Sequence, residues 1–213
     1  MSGPDQPDWP AVAFRERLRQ PDQRSCGATV LVVARMLLDP AYAQLVATGR
    51  HPRTGVTLAG DVAGRFRYEV LGMHHRVTGA VDAAGHLQVP WPRALGTPPW
   101  AVAHQMSTTG GADLPPVRYV ARPVRPGGAG GADRGRVFDR LLAVTGDRRP
   151  VPVYVGDRWL PRHVVLALGP VEGRLRCYEP ARGQLVDVDR ASFTGARLGL
   201  AGWDRPWCVV VPA

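Results

Sequence analysis

A chain of 213 residues with 45% hydrophobic side chains can bury one sizeable core, and one domain is the expectation. Its net charge of +9 is carried by arginine alone, because the chain contains no lysine, and it lacks asparagine and isoleucine too. That bias is the mark of a GC-rich coding sequence, and the arginines are scattered rather than gathered into a stripe, so no specific nucleic-acid partner is expected.

Residues 1–10 read as a disordered lead, and a single domain should fill 11–213. The lead has neither a basic n-region nor an apolar h-region, which predicts a cytoplasmic protein as synthesised, with secretion by a non-classical route left open. A short helix is expected over "WPAVAFRERLR", followed by a loop carrying Gln20. From Cys26 to about Leu38 the apolar residues Val30, Leu31, Val33, Ala34, Leu37 and Leu38 recur at helical spacing, predicting a buried helix. Arg35 breaks this run, the longest apolar stretch, so no membrane span is expected. A second helix over "AYAQLVATG" should end at Gly49.

Residues 50–96 mix glycine, proline and isolated apolar residues, and resist assignment beyond a small hairpin turning at "DAAGH". "TPPWAVAHQMS" carries a helix start with Thr97 as the N-cap and prolines in the first turn. "VRYVARPV" reads as a strand, "RPGGAGGADRG" as a surface loop, and "RVFDRLLAVTG" as a helix stopping at Gly146. Five short strands follow in "VPVYVG", "RHVVLALG", "RLRCYEP", "QLVDV" and "WCVVVP". Helices first and an antiparallel sheet afterwards predict an α+β fold.

Three cysteines, Cys26, Cys177 and Cys208, are too few for a disulfide framework. A Cys177–Cys208 bridge between two predicted strands competes with two reduced core thiols, and the reduced pair is preferred. No Cys/His spacing suggests zinc, and no metal or cofactor is expected.

The chemistry centres on "QPDQRSCG". A helix N-terminus favours the thiolate form of a cysteine, and a glutamine amide on the preceding loop can donate to an oxyanion. Such a nucleophile needs a base. Of His51, His74, His75, His86, His104 and His163, only His163 opens a strong strand, which would hold its imidazole at a sheet edge. An acceptor must orient that imidazole. Glu179, at the end of the next strand, is the first candidate, with Asp187 and Asp189 as alternatives. Trp159, Trp203 and Trp207 are read as core or rim packing.

Gln20, Cys26-Gly27, His163 with "VVLAL", and "YEPARG" occur in the order found in papain-like cysteine peptidases. The chain most resembles the peptidase domain of bacteriocin-exporting ABC transporters and its bacterial relatives. The resemblance implies a papain-like α+β fold, with the cysteine helix packed on an antiparallel sheet, and a short helix at "ASF" near Ser192 and Phe193. It implies Gln20 as oxyanion donor, Cys26 as nucleophile, His163 as base and Glu179 as acceptor, acting on a peptide or protein substrate. Glu179 stands where the family usually has aspartate. Residues 50–96 have no counterpart and are read as an insertion, with His74 and His75 on its surface or in a structural role. Related folds also serve as glutamine deamidases, transglutaminases and toxin domains, and a pseudo-peptidase that only binds peptides is the non-enzymatic alternative.

Overall fold

The computed structural model describes residues 14–82, 84–110, 116–124 and 130–213. Within them, six α-helices, one 3-10 turn (Arg93–Leu95) and six strands form a mixed α+β architecture. The expected lead, residues 9–13 of the first expected helix and part of the glycine-rich loop lie outside the described residues; Phe14 and Arg15 are helical, but the expected helix does not continue to Arg19, because the chain turns at Glu16 and Arg17, the latter at φ 46°.

Helix α1 (Cys26–Leu38) is buried on every side except at Arg35 and Leu37. Valine is a modest helix former, so tertiary burial holds this element: each fully buried Val or Leu contributes roughly 1.5–3 kcal/mol, against tenths for propensity. Helix α2 (Pro40–Thr48) follows after a sharp bend. Asp39 caps it by accepting from the backbone N–H groups of Ala41 and Tyr42, and Gly49 ends it at φ 81°. No single helix among the described residues is long and apolar enough to cross a membrane.

Helix α3 (Val62–Thr78) occupies most of the stretch that resisted assignment. Asp61 caps it through a 2.8 Å bond from Gly64 N–H, and Phe66, Val70, Met73 and Val77 form its buried stripe against α1. The stripe has helical spacing, but Gly64, Gly72 and six charged or histidine neighbours dilute it in the sequence. Arg65 is buried too, donating to the carbonyls of Val46 and Ala47 at the end of α2. The expected hairpin is present as a single bridge, Val81 to Leu87, closed by Asp82 N–H to His86 O at 2.8 Å. Of the two histidines read as part of the insertion's surface or as structural, His74 is buried in α3 and His75 is exposed.

Helix α4 (Pro99–Thr108) starts where predicted, but Thr97 is not its cap: Pro98 holds that position without a side-chain bond. The next elements are β1 (Tyr119–Pro123), α5 (Gly130–Gly146), β2 (Val151–Gly156), β3 (Pro161–Val171), β4 (Arg174–Glu179), β5 (Gln184–Val188), α6 (Arg190–Thr194) and β6 (Arg205–Pro212). Helix α5 begins inside "GGADRG", earlier than its apolar pattern suggests. The strands form one antiparallel sheet in the order β1-β6-β2-β3-β4-β5. One core lies between the sheet and α1–α4, and a second lies on the other face beneath α5 and α6.

This topology rules out the Cys177–Cys208 bridge. Strands β4 and β6 are separated by β2 and β3, about 14 Å at ~4.8 Å per step, whereas bridged Cα atoms lie within about 7 Å. Both thiols are free, and burial pushes Cys177 up to about 12 and Cys208 up to about 11.

Candidate active site

Cys26 is the first residue of α1 and is 5% exposed. Ser25 before it makes no side-chain cap. Its hydroxyl donates instead to Asp22 O at 3.2 Å, so no side chain caps the N–H groups of the first turn. Gly27 is required by a close approach: a Cβ there would lie 2.6 Å from Thr97 Cβ and 2.7 Å from its hydroxyl oxygen. Gly27→Ala should therefore cost about 1–3 kcal/mol through overpacking, read as a fall of several degrees in Tm by calorimetry. An unchanged Tm would mean that the Thr97 loop yields freely.

His163 lies near the start of β3 and Glu179 at the end of β4, and both are buried. The register pairs Leu166 with Tyr178. One step further, Glu179 stands opposite Val165, two residues from His163 and on the same side of the sheet. His163 Nε2 and Glu179 Oε1 are 2.7 Å apart. The carboxylate also accepts from the N–H groups of Ala181 (2.8 Å) and Arg182 (3.0 Å), which fixes its position. The alternatives are engaged elsewhere: Asp187 pairs twice with Arg176 at 2.8 Å, and Asp189 caps α6 through Ser192.

The Nε2 of His163 faces Glu179, and the Cys26 side chain is the other neighbour that shapes the titration of His163. Burial by itself would lower the imidazole pKa. The hydrogen bonds to Cys26 and Glu179, and their charges, outweigh it and raise His163 to about 9. Burial would raise Glu179, but His163 and the two backbone donors hold it below the usual carboxylate range.

Gln20 is tied to this end of the sheet by its backbone N–H, which donates to Pro180 O at 2.8 Å. Its side-chain amide donates one hydrogen to Asp22 O at 2.8 Å, and among the described residues the second Nε2 hydrogen has no acceptor and the buried Oε1 has no partner. The structure thus gathers Cys26, His163 and Glu179, and places Gln20 on the adjoining loop.

Two neighbours escaped the sequence reading. The Tyr154 hydroxyl, buried in β2, donates to Thr97 O at 2.9 Å, and burial raises its pKa well above the usual range. Thr97 is held against α1 by that bond, and its own buried hydroxyl has no partner among the described residues. The uninterrupted burial of β2 obscures any one-sided pattern that could have singled out Tyr154.

The other histidines lie elsewhere. His51 accepts from the N–H groups of Arg53 and Thr54 in a turn, and His86 and His104 stand 3.6 and 3.7 Å from Asp82. Burial lowers the pKa of His74. Trp159 is 68% exposed on the β2–β3 turn, a rim position, and Trp207 donates to Asp157 O at 2.9 Å. Among the described residues no group of three or more His, Cys, Asp or Glu side chains is arranged to hold a metal ion. In comparisons with known proteins, the chain matches no family model and no curated protein.

Proposed function

We propose that this protein is a papain-like thiol hydrolase that cleaves an amide bond of a peptide or protein substrate through Cys26, His163 and Glu179. One observation carries the reading: the His163 imidazole is held between a thiol at the start of a helix and a buried carboxylate. Histidine at a raised pKa next to a cysteine favours the thiolate–imidazolium pair, the reactive form of such a couple.

In this mechanism the Cys26 sulfur attacks the substrate carbonyl carbon. The resulting oxyanion is met by the uncapped N–H groups at the start of α1 and by the second Nε2 hydrogen of Gln20. His163 passes its proton to the leaving amine, and a thioester remains. Water, deprotonated by the now neutral imidazole, attacks the thioester, and the Cys26 sulfur leaves. Glu179 keeps the ring oriented and offsets its positive charge throughout.

The test is incubation with a peptide library followed by mass spectrometry and an ammonia assay. Cleavage that disappears in Cys26→Ala is the expected result. Ammonia release without chain cleavage would move the protein to a deamidase of the same fold. Retention of intact peptides by wild type and Cys26→Ala alike would overturn the hydrolase and leave a peptide-binding module.

A further inference from the structure

At the far end of α1 the molecule has a second concave feature. A cleft of about 380 Å³ opens where the C-terminal ends of α1, α3 and α4 converge. Its walls include Arg35, Arg76, Gln105 and Asp39. That volume lies within the roughly 300–1,000 Å³ of small-molecule sites. Arg35 is nine residues beyond Cys26, about 13 Å along the helix, so the cleft is distinct from the thiol site.

The charges in the cleft are unevenly matched. Asp39 already accepts from Arg53 and from two backbone N–H groups of α2. Arg35 stacks on the Tyr42 ring at 4.0 Å, and Tyr42 is anchored by its 2.7 Å bond to Glu69. The stack fixes the guanidinium plane and leaves its edge N–H groups without an acceptor among the described residues. Among the described residues the Arg76 guanidinium makes one hydrogen-bond contact, with the Met73 sulfur at 3.9 Å. Gln105, 7% exposed, lines the same cleft, and its Oε1 has no hydrogen-bond partner among the described residues.

We propose that this cleft binds a small organic oxyanion, a phosphate or carboxylate that also carries a hydroxyl or amino donor. The oxyanion meets the Arg35 and Arg76 guanidinium groups, and the donor meets Gln105 Oε1 after a modest rotation of that side chain. The competing role for both arginines is to offset the carbonyl ends of α1 and α3, in whose last turns they lie. That role alone would give the cleft no affinity for anions.

Isothermal titration of the full chain separates the two, with inorganic phosphate, citrate and glycerol 3-phosphate as probes and glycerol as the uncharged control, at constant ionic strength. Saturable one-site binding of glycerol 3-phosphate, weakened at least tenfold by Arg76→Gln and by Arg35→Lys, is expected. Phosphate against citrate then shows which oxyanion is preferred. Gln105→Leu should weaken glycerol 3-phosphate while sparing phosphate. No saturable binding of any anion would overturn the proposal, as would binding that both arginine variants leave unchanged. Arg76 is exposed, so Arg76→Gln decides the matter even if Arg35→Lys fails to fold.

Discussion

Replacing His163 by alanine is expected to slow alkylation of Cys26 by iodoacetamide at pH 7 by roughly 10²-fold, the lower end of what a positioned acid–base group supplies. The measurement is clean because Cys177 is buried and Cys208 half-buried, and both are pushed up, to about 12 and about 11, so neither competes at neutral pH. Peptide mapping of the alkylated protein confirms which cysteine reacted. The pH profile carries the mechanism. In the wild type the rate should show an inflection near pH 9, where His163 loses its proton. In His163→Ala that inflection should be absent. Equal rates in the two proteins at pH 7, with folding intact by circular dichroism, would remove the imidazole from the mechanism.

The second large effect is on stability. Glu179→Ala removes the acceptor of three hydrogen bonds from a buried position and leaves the imidazole without its counter-charge. Loss of one partner from such a pair costs about 3–5 kcal/mol. Glu179→Gln keeps the shape and an acceptor oxygen, so it should recover part of that loss, and the remainder reports the charge.

The pH dependence of stability follows from the directions of the two shifts. His163 is raised from 6.5 to about 9, so its contribution is complete below about 6.5 and is lost as pH rises to about 9. Glu179 is lowered from 4.5, so its contribution is present above about 4.5 and is lost on acidification. The pair therefore stabilises the fold most between about pH 4.5 and 6.5. Denaturant melts of the wild type should show stability falling from pH 6.5 to 9, and Glu179→Ala should flatten that fall. An identical slope in both proteins would mean that Glu179 does not set the His163 titration.

Elements whose pattern is local and strong were legible in the sequence. Helix α1 follows from apolar residues at helical spacing, and the five C-terminal strands from short β-prone runs bounded by turn residues. The proximity of His163 and Glu179 followed from antiparallel neighbours with a short turn between them. Helix α3 was not legible, because its stripe of Phe66, Val70, Met73 and Val77 is carried among arginines, histidines and glycines. Only packing against α1 reveals which of its residues are buried. Thr97 was misread for a related reason. Its place before two prolines is a good local cap signal, but Tyr154 holds its carbonyl and Gly27 makes room for its side chain. Both partners are distant in the chain, and local spacing carries no record of either.

The segment before Cys26 has a consequence for biosynthesis. The Gln20 N–H bonds to Pro180 O, the Tyr178 hydroxyl bonds to Leu18 O across 160 residues, and Gly183 at φ 63° packs where a Cβ would strike Arg17 O at 2.4 Å. The loop that presents the thiol is thus stitched to almost the last part of the sheet to leave the ribosome. Such contacts close late, since the cost of closing a long loop must be met before they form. While the chain is being translated, Cys26 has emerged but its imidazole, its carboxylate and the turn that anchors its loop have not. Under the proposed function the nascent chain would therefore carry a dormant thiol, since the loop before Cys26 is anchored only once Tyr178 and Pro180 are free to fold.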